Sequence, residues 1–393
     1  MSTLYAPIGI TPTKPLTPSH LKGVLLLDFM QRFETLCAQE AASNRSLLNA
    51  SAPNGAPSLV QLPAATVWHN RRPWDISLQT IRFWDYLDRE YVGVDFGAMS
   101  EAEIGALYIA CHRSGSLPAA ERVAGYAHRI ETEGYVHPAS QRILALWANV
   151  FATLGLAREA LFHSVPFELD PETVLARLDT RGMVLDQRHF GGAVYLDLTD
   201  EGRPLRLLIS EQGLPNYLLA ILRDLLDRAA QYSSICLYHD ADIQRDYDAL
   251  ARVLERLGMR CRRVGFMRVP LEGQVLSAKQ GGWELYTGAR LLERVAGDAS
   301  EDEIRLGFRL YFLHALGLRQ PDSYSDEGLS ACLLRARALL AVHEPAAPSA
   351  ADRIALEKLM KRDGSANVYG ALAVLEQKKA SPGLRHAVMQ CLL

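Results

Sequence analysis

The chain has 393 residues, of which 49% are hydrophobic and 22% charged, with a formal net charge of −3. A single core rarely grows beyond roughly 250–300 residues, so a main domain with an appendage is expected. The near-neutral balance excludes a global basic field that would gather nucleic acid, although a local basic patch would suffice for contact. The cysteines (Cys37, Cys111, Cys236, Cys261, Cys332, Cys391) are scattered, with no Cys-x-x-Cys pair and no histidine at zinc spacing. They read as buried or idle thiols in a reducing compartment, and no metal is expected. The opening "MSTLYAPIGITPTKPL" has neither a basic start nor a long apolar run, so it does not read as a signal peptide. No stretch reaches the ~20 apolar residues of a membrane span. The expectation is a cytoplasmic protein with no membrane contact.

Residues 5–10, "YAPIGI", read as a short buried strand. After a Pro-rich turn, "SHLKGVLLLDFMQRFETLCAQEAA" carries apolar residues at helical spacing. Small residues at 41–58 predict a loop, and "LVQLPAATVWH" (59–69) an extended segment. Residues 76–164 are expected to be mostly helical, with a capping box at Ser100 in "SEAE". The period then changes. Residues 191–210 predict two short alternating strands around a turn at Asp200–Gly202. Next come a helix in "NYLLAILRDLLDRAAQY", a buried strand in "SSICLYHD", a helix ended by Gly258, and a strand in "RCRRVGFMRV". Strand–helix–strand order argues for a parallel sheet in an α/β domain. From Ser300 onward the pattern is helical, with a Pro/Ala linker at 345–351.

There is no Walker loop and no Gly-x-Gly-x-x-Gly, so the usual phosphate cradles are missing. In an open α/β sheet, ligands bind at the carboxyl ends of the strands. Three stretches should fall there: the 11–22 turn, the 238–244 loop and the 269–283 loop with Gly273, Lys279, Gly281 and Gly282. Each alone reads more readily as an ordinary connection. Three at one sheet edge make a candidate site.

Taken in order, these stretches resemble arginyl-tRNA synthetase, a class I synthetase. "TPTKPLTPSHLKGVLLLDFMQRF" is similar to the family's first signature and its long helix, and "VWHNRRPWDISLQTI" to the segment that follows. "ICLYHDADIQRDYDALARVLERLGM" resembles a later strand, loop and helix, and "FMRVPLEGQVLSAKQGG" the mobile Lys-Met-Ser-Lys-Ser loop. "SYSDEGLSACLLRARALLAV" resembles the start of the helical anticodon-binding domain. The collinear set, covering roughly residues 5–345, carries the resemblance. It implies a class I synthetase-like Rossmann parallel sheet, with residues 1–97 and 205–297 as two halves of the catalytic domain. Residues 98–204 would be a mostly helical insertion, and 298–393 a shortened all-helical C-terminal domain unable to read an anticodon.

The departures bear on chemistry. At the first signature Thr17 and Ser19 stand where the family has histidine and glycine, and only His20 remains. The mobile loop keeps Ser277 and Lys279 but has Gln280 in place of a second cation. The family's arginine-holding positions fall at Ala6, Thr11 and Ile221, with Tyr217 kept and Asp242 in place of a glutamine. Adenylate formation relies on donors and cations around a pentavalent phosphate, and each lost donor costs about 2.7–4 kcal/mol. ATP activation should therefore be nearly abolished. The resemblance, read with these losses, implies an enzyme of the cyclodipeptide synthase type. It would join an arginyl group from arginyl-tRNA to a second aminoacyl-tRNA and close a diketopiperazine, needing no cofactor. Thr17 or Ser19 is the expected nucleophile or oxyanion donor, unless both merely form the turn. His20 is a proton shuttle or a helix-start cap. Tyr217, Asp240 and Asp242 would line the aminoacyl pocket. Ser277 and Lys279 would meet the tRNA 3′ end, and Lys14, Lys22, Arg71 and Arg72 the acceptor stem, though these four read equally as solvated surface charge. The rivals are an ATP-dependent amino-acid ligase, a short arginyl-tRNA synthetase, and a non-catalytic pseudo-synthetase that binds tRNA.

Overall fold

A computed structural model describes residues 3–6, 9–50, 76–157, 167–228, 231–276, 281–295, 297, 299–318 and 322–393, with backbone alone at 43–50. Two sheets organise it. Strands β1 (Thr3–Ala6), β5 (Ser234–Asp240) and β6 (Arg260–Phe266) form a parallel sheet in the order β1-β5-β6. Tyr5 pairs with Cys236, and Ser234 with Arg260. Strands β2 (Val184–Asp186), β3 (Val194–Leu196) and β4 (Arg206–Ile209) form a small antiparallel sheet. The expected hairpin at 191–210 is present; β2, the three residues Val-Leu-Asp after Met183, was not signalled by alternation and completes the sheet.

The parallel connections are helical, as the crossover rule requires. Helix α1 (Pro18–Ala50) leaves the first strand's turn, and α8 (Gln244–Arg256) joins β5 to β6. Two expectations change. The first strand ends at Ala6 rather than running to Ile10. The expected loop at 41–58 is helical through Ala50, because Ala, Leu and Ser carry no helix break before Pro53. The segment 59–69 lies outside the described residues.

Four helices follow: α2 (Leu78–Glu90), α3 (Glu101–Ser114), α4 (Ala120–Glu133) and α5 (Pro138–Thr153). The Ser100 capping box is present, with Ser100 Oγ accepting from Glu103 N–H and Glu103 accepting from Ser100 N–H. Helices α6 (Pro171–Asp179) and α7 (Tyr217–Arg228) flank the small sheet, and Gly258 ends α8 at positive φ. The remainder is helical: α9 (Gly288–Val295), α10 (Glu301–Leu310), α11 (Asp326–Ala341), α12 (Ala350–Lys358), α13 (Val368–Val374) and α14 (Pro382–Gln390).

The core has two parts. Leu4, Leu237, Leu219 and Leu250 pack around β1, β5, α7 and α8. A larger part joins Leu25, Phe29 and Phe33 of α1 to Trp84, Trp147, Phe308 and Leu372. Helix α1 therefore touches both the sheet and the C-terminal helices. Among the described residues no helix is long and apolar enough to cross a membrane, and no cluster of His, Cys, Asp and Glu suits a metal.

Candidate functional site

The turn after β1 is held from both sides at Leu16. Its N–H donates to Glu101 Oε1 (2.6 Å), and its carbonyl accepts from Gly288 N–H (2.7 Å). Glu101 also accepts from Trp147 Nε1 (2.9 Å), and burial pushes its carboxyl up to about 7. Gly105 lets this arrangement close: a Cβ there would overlap the Trp283 ring and Pro15.

Thr17 then starts α1, with Pro18 at the first helical position, where its missing N–H costs nothing. His20 Nδ1 accepts from Thr17 N–H (3.1 Å), the reach-back that Glu or Gln makes in a capping box. Thr17 Oγ1 lies 3.1 Å from the same nitrogen. Burial first, and then the positive charges of Lys14 and Arg268, hold His20 well below the usual imidazole range. It is neutral at physiological pH. Ser19 Oγ accepts from Val269 N–H (2.9 Å), tying the helix start to the segment after β6.

At the end of β5, Asp240 Oδ1 accepts from the N–H groups of Asp242 (3.0 Å) and Ile243 (3.4 Å), so it caps the turn. Asp242 pairs with Arg268 Nη1 at 2.5 Å, and Arg268 Nη2 donates to Leu276 O (2.6 Å). Tyr217, at the start of α7, donates to Asp246, which also faces Arg206 Nε at 3.3 Å. Burial, followed by Asp246, raises the Tyr217 hydroxyl above the usual phenol range. On the helical side Gln79 Nε2 donates to Tyr108 Oη (2.6 Å) and reaches Thr11 Oγ1 (3.5 Å).

These groups surround one cavity of about 550 Å³ at the carboxyl edge of the parallel sheet. Of the residues singled out from the sequence, Thr11, Lys14, Thr17, Ser19, His20, Tyr217, Ile221, Asp240 and Asp242 line it. Ala6 does not line it and is buried in the sheet core. Lys22 is a correction. It is fully buried, its Nζ donating to Gly317 O (2.5 Å) and Met267 O (3.0 Å), so it is not a surface cation for an acceptor stem. Burial lowers its ammonium to about 8. Asp240 and Asp242 line the cavity with their carboxylates already engaged, because the short turn after β5 needs a cap and Arg268 faces it. Arg71, Arg72, Ser277 and Lys279 lie outside the described residues. Sequence reasoning missed Arg268, Gln79, Tyr108, Asn216 and Trp283. Only Arg268 carried a signal, a cation at the C-terminal end of the predicted strand, which in the structure stops at Phe266.

A three-strand parallel sheet under helices, with its cavity at the strand ends, defines an α/β fold. The fold is similar to that of Thermus thermophilus arginyl-tRNA synthetase, with a TM-score of 0.55 and 14% identity over 100% of this chain and 80% of that one. A second similar structure is a putative arginyl-tRNA synthetase from Campylobacter jejuni, with a TM-score of 0.46 and 15% identity over 100% of this chain and 83% of that one. No protein-family model and no curated protein matches the sequence.

Proposed function

We propose that this chain transfers aminoacyl groups from charged tRNA without ATP, joining two of them into a cyclic dipeptide. The observation that carries the proposal is the state of His20. Its Nδ1 is spent on the Thr17 amide and it is held neutral, so it brings no positive charge to a pentavalent phosphate. A neutral imidazole beside a hydroxyl suits proton movement in the aminolysis of an ester, which is already activated. Thr17 is the hydroxyl beside that imidazole, and Ser19 the one bound to Val269. The amine of one aminoacyl group attacks the ester carbonyl of the other. The amine proton passes to the departing ribose hydroxyl as the ester breaks and the amide forms. A second, intramolecular aminolysis releases the second tRNA and closes the ring. Tyr217 and the turn at Asp240–Asp242 line the acyl side of the cavity. Lys14, Lys279, Ser277, Arg71 and Arg72 are proposed to face the tRNA. The proposed organisation keeps 1–97 with 205–297 as the catalytic unit, 98–204 as an insertion and 298–393 as a helical appendage. Such a substrate implies action in the cytoplasm.

The test supplies pure protein with charged tRNA, omits ATP, and analyses the products by mass spectrometry. Cyclic dipeptide should form, and Thr17→Val should reduce it by about 100-fold. Product requiring ATP and free amino acid would establish a ligase instead. Binding of tRNA with no product under either condition would establish a non-catalytic relative.

A further inference from the structure

We propose that the aminoacyl side of the cavity accepts an uncharged side chain rather than a guanidinium. The inference rests on the charged-tRNA reading above and concerns which acyl group it carries. A guanidinium presents five N–H donors and one positive charge, and a buried site must answer both. On the wall built by β4, the segment before α7 and the turn after β5, each described acceptor group already has at least one partner. Asp242 holds Arg268 at 2.5 Å. Asp240 Oδ1 accepts two backbone N–H groups. Ser210 Oγ accepts from Leu214 N–H (3.2 Å), and Asn216 Oδ1 from Leu218 N–H (3.2 Å). Tyr217 donates to Asp246, which is turned out of the lining and also faces Arg206.

Charge points the same way. The charged side chains among the described lining residues are Lys14, Arg268, Asp240 and Asp242, two cations facing two carboxylates. An arginyl side chain would add an unanswered positive charge beside Arg268. What the wall offers is apolar surface: Leu207, Leu214, Ile221 and Ile243. Ile221 is 7% exposed and sits one turn along α7 from Tyr217, so its branched side chain occupies the depth of the wall. Burying an aliphatic or aromatic side chain there gains its transfer free energy, whereas a guanidinium would compete with Arg268 for Asp242.

The experiment measures binding to the full chain by calorimetry. The probes are non-hydrolysable 3′-aminoacylamino-3′-deoxyadenosine conjugates carrying leucine, phenylalanine, arginine or glutamate. The leucyl or phenylalanyl conjugate should bind at least about tenfold more tightly than the arginyl one. Equal or tighter binding of the arginyl conjugate overturns this inference and leaves the charged-tRNA reading standing. If no conjugate binds better than adenosine, the charged-tRNA reading falls and this inference with it. Ile221→Asp places a carboxylate on the wall, so the order should reverse, with Ile221→Asn as the uncharged control. Wild-type preference decides the matter if Ile221→Asp does not fold.

Discussion

Replacing Glu101 by glutamine should stabilise the protein above neutral pH and leave it unchanged in mild acid. Glu101 is 4% exposed, and burial raises its carboxyl from 4.5 to about 7. Below pH 4.5 the carboxyl is protonated in both folded and unfolded chains. Between pH 4.5 and about 7 the folded protein keeps a proton that the unfolded chain has released, so stability falls as pH rises. At about 1.4 kcal/mol per pH unit, the loss reaches about 3 kcal/mol above neutrality. Glutamine keeps an acceptor for Leu16 N–H and Trp147 Nε1–H but never ionises. Urea unfolding of both proteins at pH 4.5 and pH 8 measures the difference, in which other titrations cancel. The expected outcome is near equality at pH 4.5 and an advantage of about 3 kcal/mol for Glu101→Gln at pH 8. Parallel profiles, or a variant weaker at both pH values, would refute the burial argument.

Ser19→Ala removes the acceptor for Val269 N–H and should cost about 1 kcal/mol in chemical unfolding, with a fall in product yield. Lys22→Met strips a donor from two buried carbonyls and should cost about 1–3 kcal/mol, while the salt dependence of tRNA binding stays that of the parent. The parent should also gain stability as pH rises from about 8 to 10.5, because the unfolded chain holds the Lys22 proton longer; Lys22→Met should lose that rise. Arg309→Met removes a fully buried cation paired with Asp28, which keeps Arg32 Nε at 3.0 Å, and should cost about 1–3 kcal/mol in chemical unfolding; a double-mutant cycle with Asp28→Asn measures the coupling of the pair.

The parallel sheet was legible because β5 is an apolar run followed by a helix with clear periodicity and a glycine stop, which places β6, with Arg260, Arg262 and Arg263, as the next strand. The helices of 76–153 were legible from the same spacing and from the Ser100 capping box. The strand β2 escaped because three residues are too few to show alternation. The end of α1 escaped because small residues read as loop when nothing in the local sequence shows what the helix packs against. Position in the site was readable from strand ends, which is why Thr17, Ser19, His20 and Asp242 line the cavity. Engagement was not. Whether Asp242 is a free carboxylate depends on Arg268, which stands 26 residues away and across a strand. Lys22 shows the same limit. One turn along a helix separates a cavity residue from a core residue, and only packing shows which side faces β6.

The first turn and a half of α1 reads the exit of β6 twice. Ser19 takes the Val269 amide, and Lys22 takes the Met267 carbonyl. Lys22 also binds the Gly317 carbonyl, and Met267 N–H donates to Leu318 O (2.9 Å), so the segment after α10 is fixed to the same strand exit. Farther along α1, Asp28 pairs with Arg309 (2.5 Å), Glu34 accepts from Ala366 N–H (3.2 Å), and Glu40 pairs with Arg353 (2.6 Å). Glu34 also binds Tyr5 of β1 and Arg262 of β6. One helix therefore carries the cavity turn at its start and contacts to α10, α12 and the segment before α13 along its length. A shift of the C-terminal helices would be felt at Thr17 and His20 through α1 and at Arg268 through the β6 exit, both of which line the cavity. The helices beyond residue 300 act in this way as the back support of the site, whether or not they ever touch a nucleic acid.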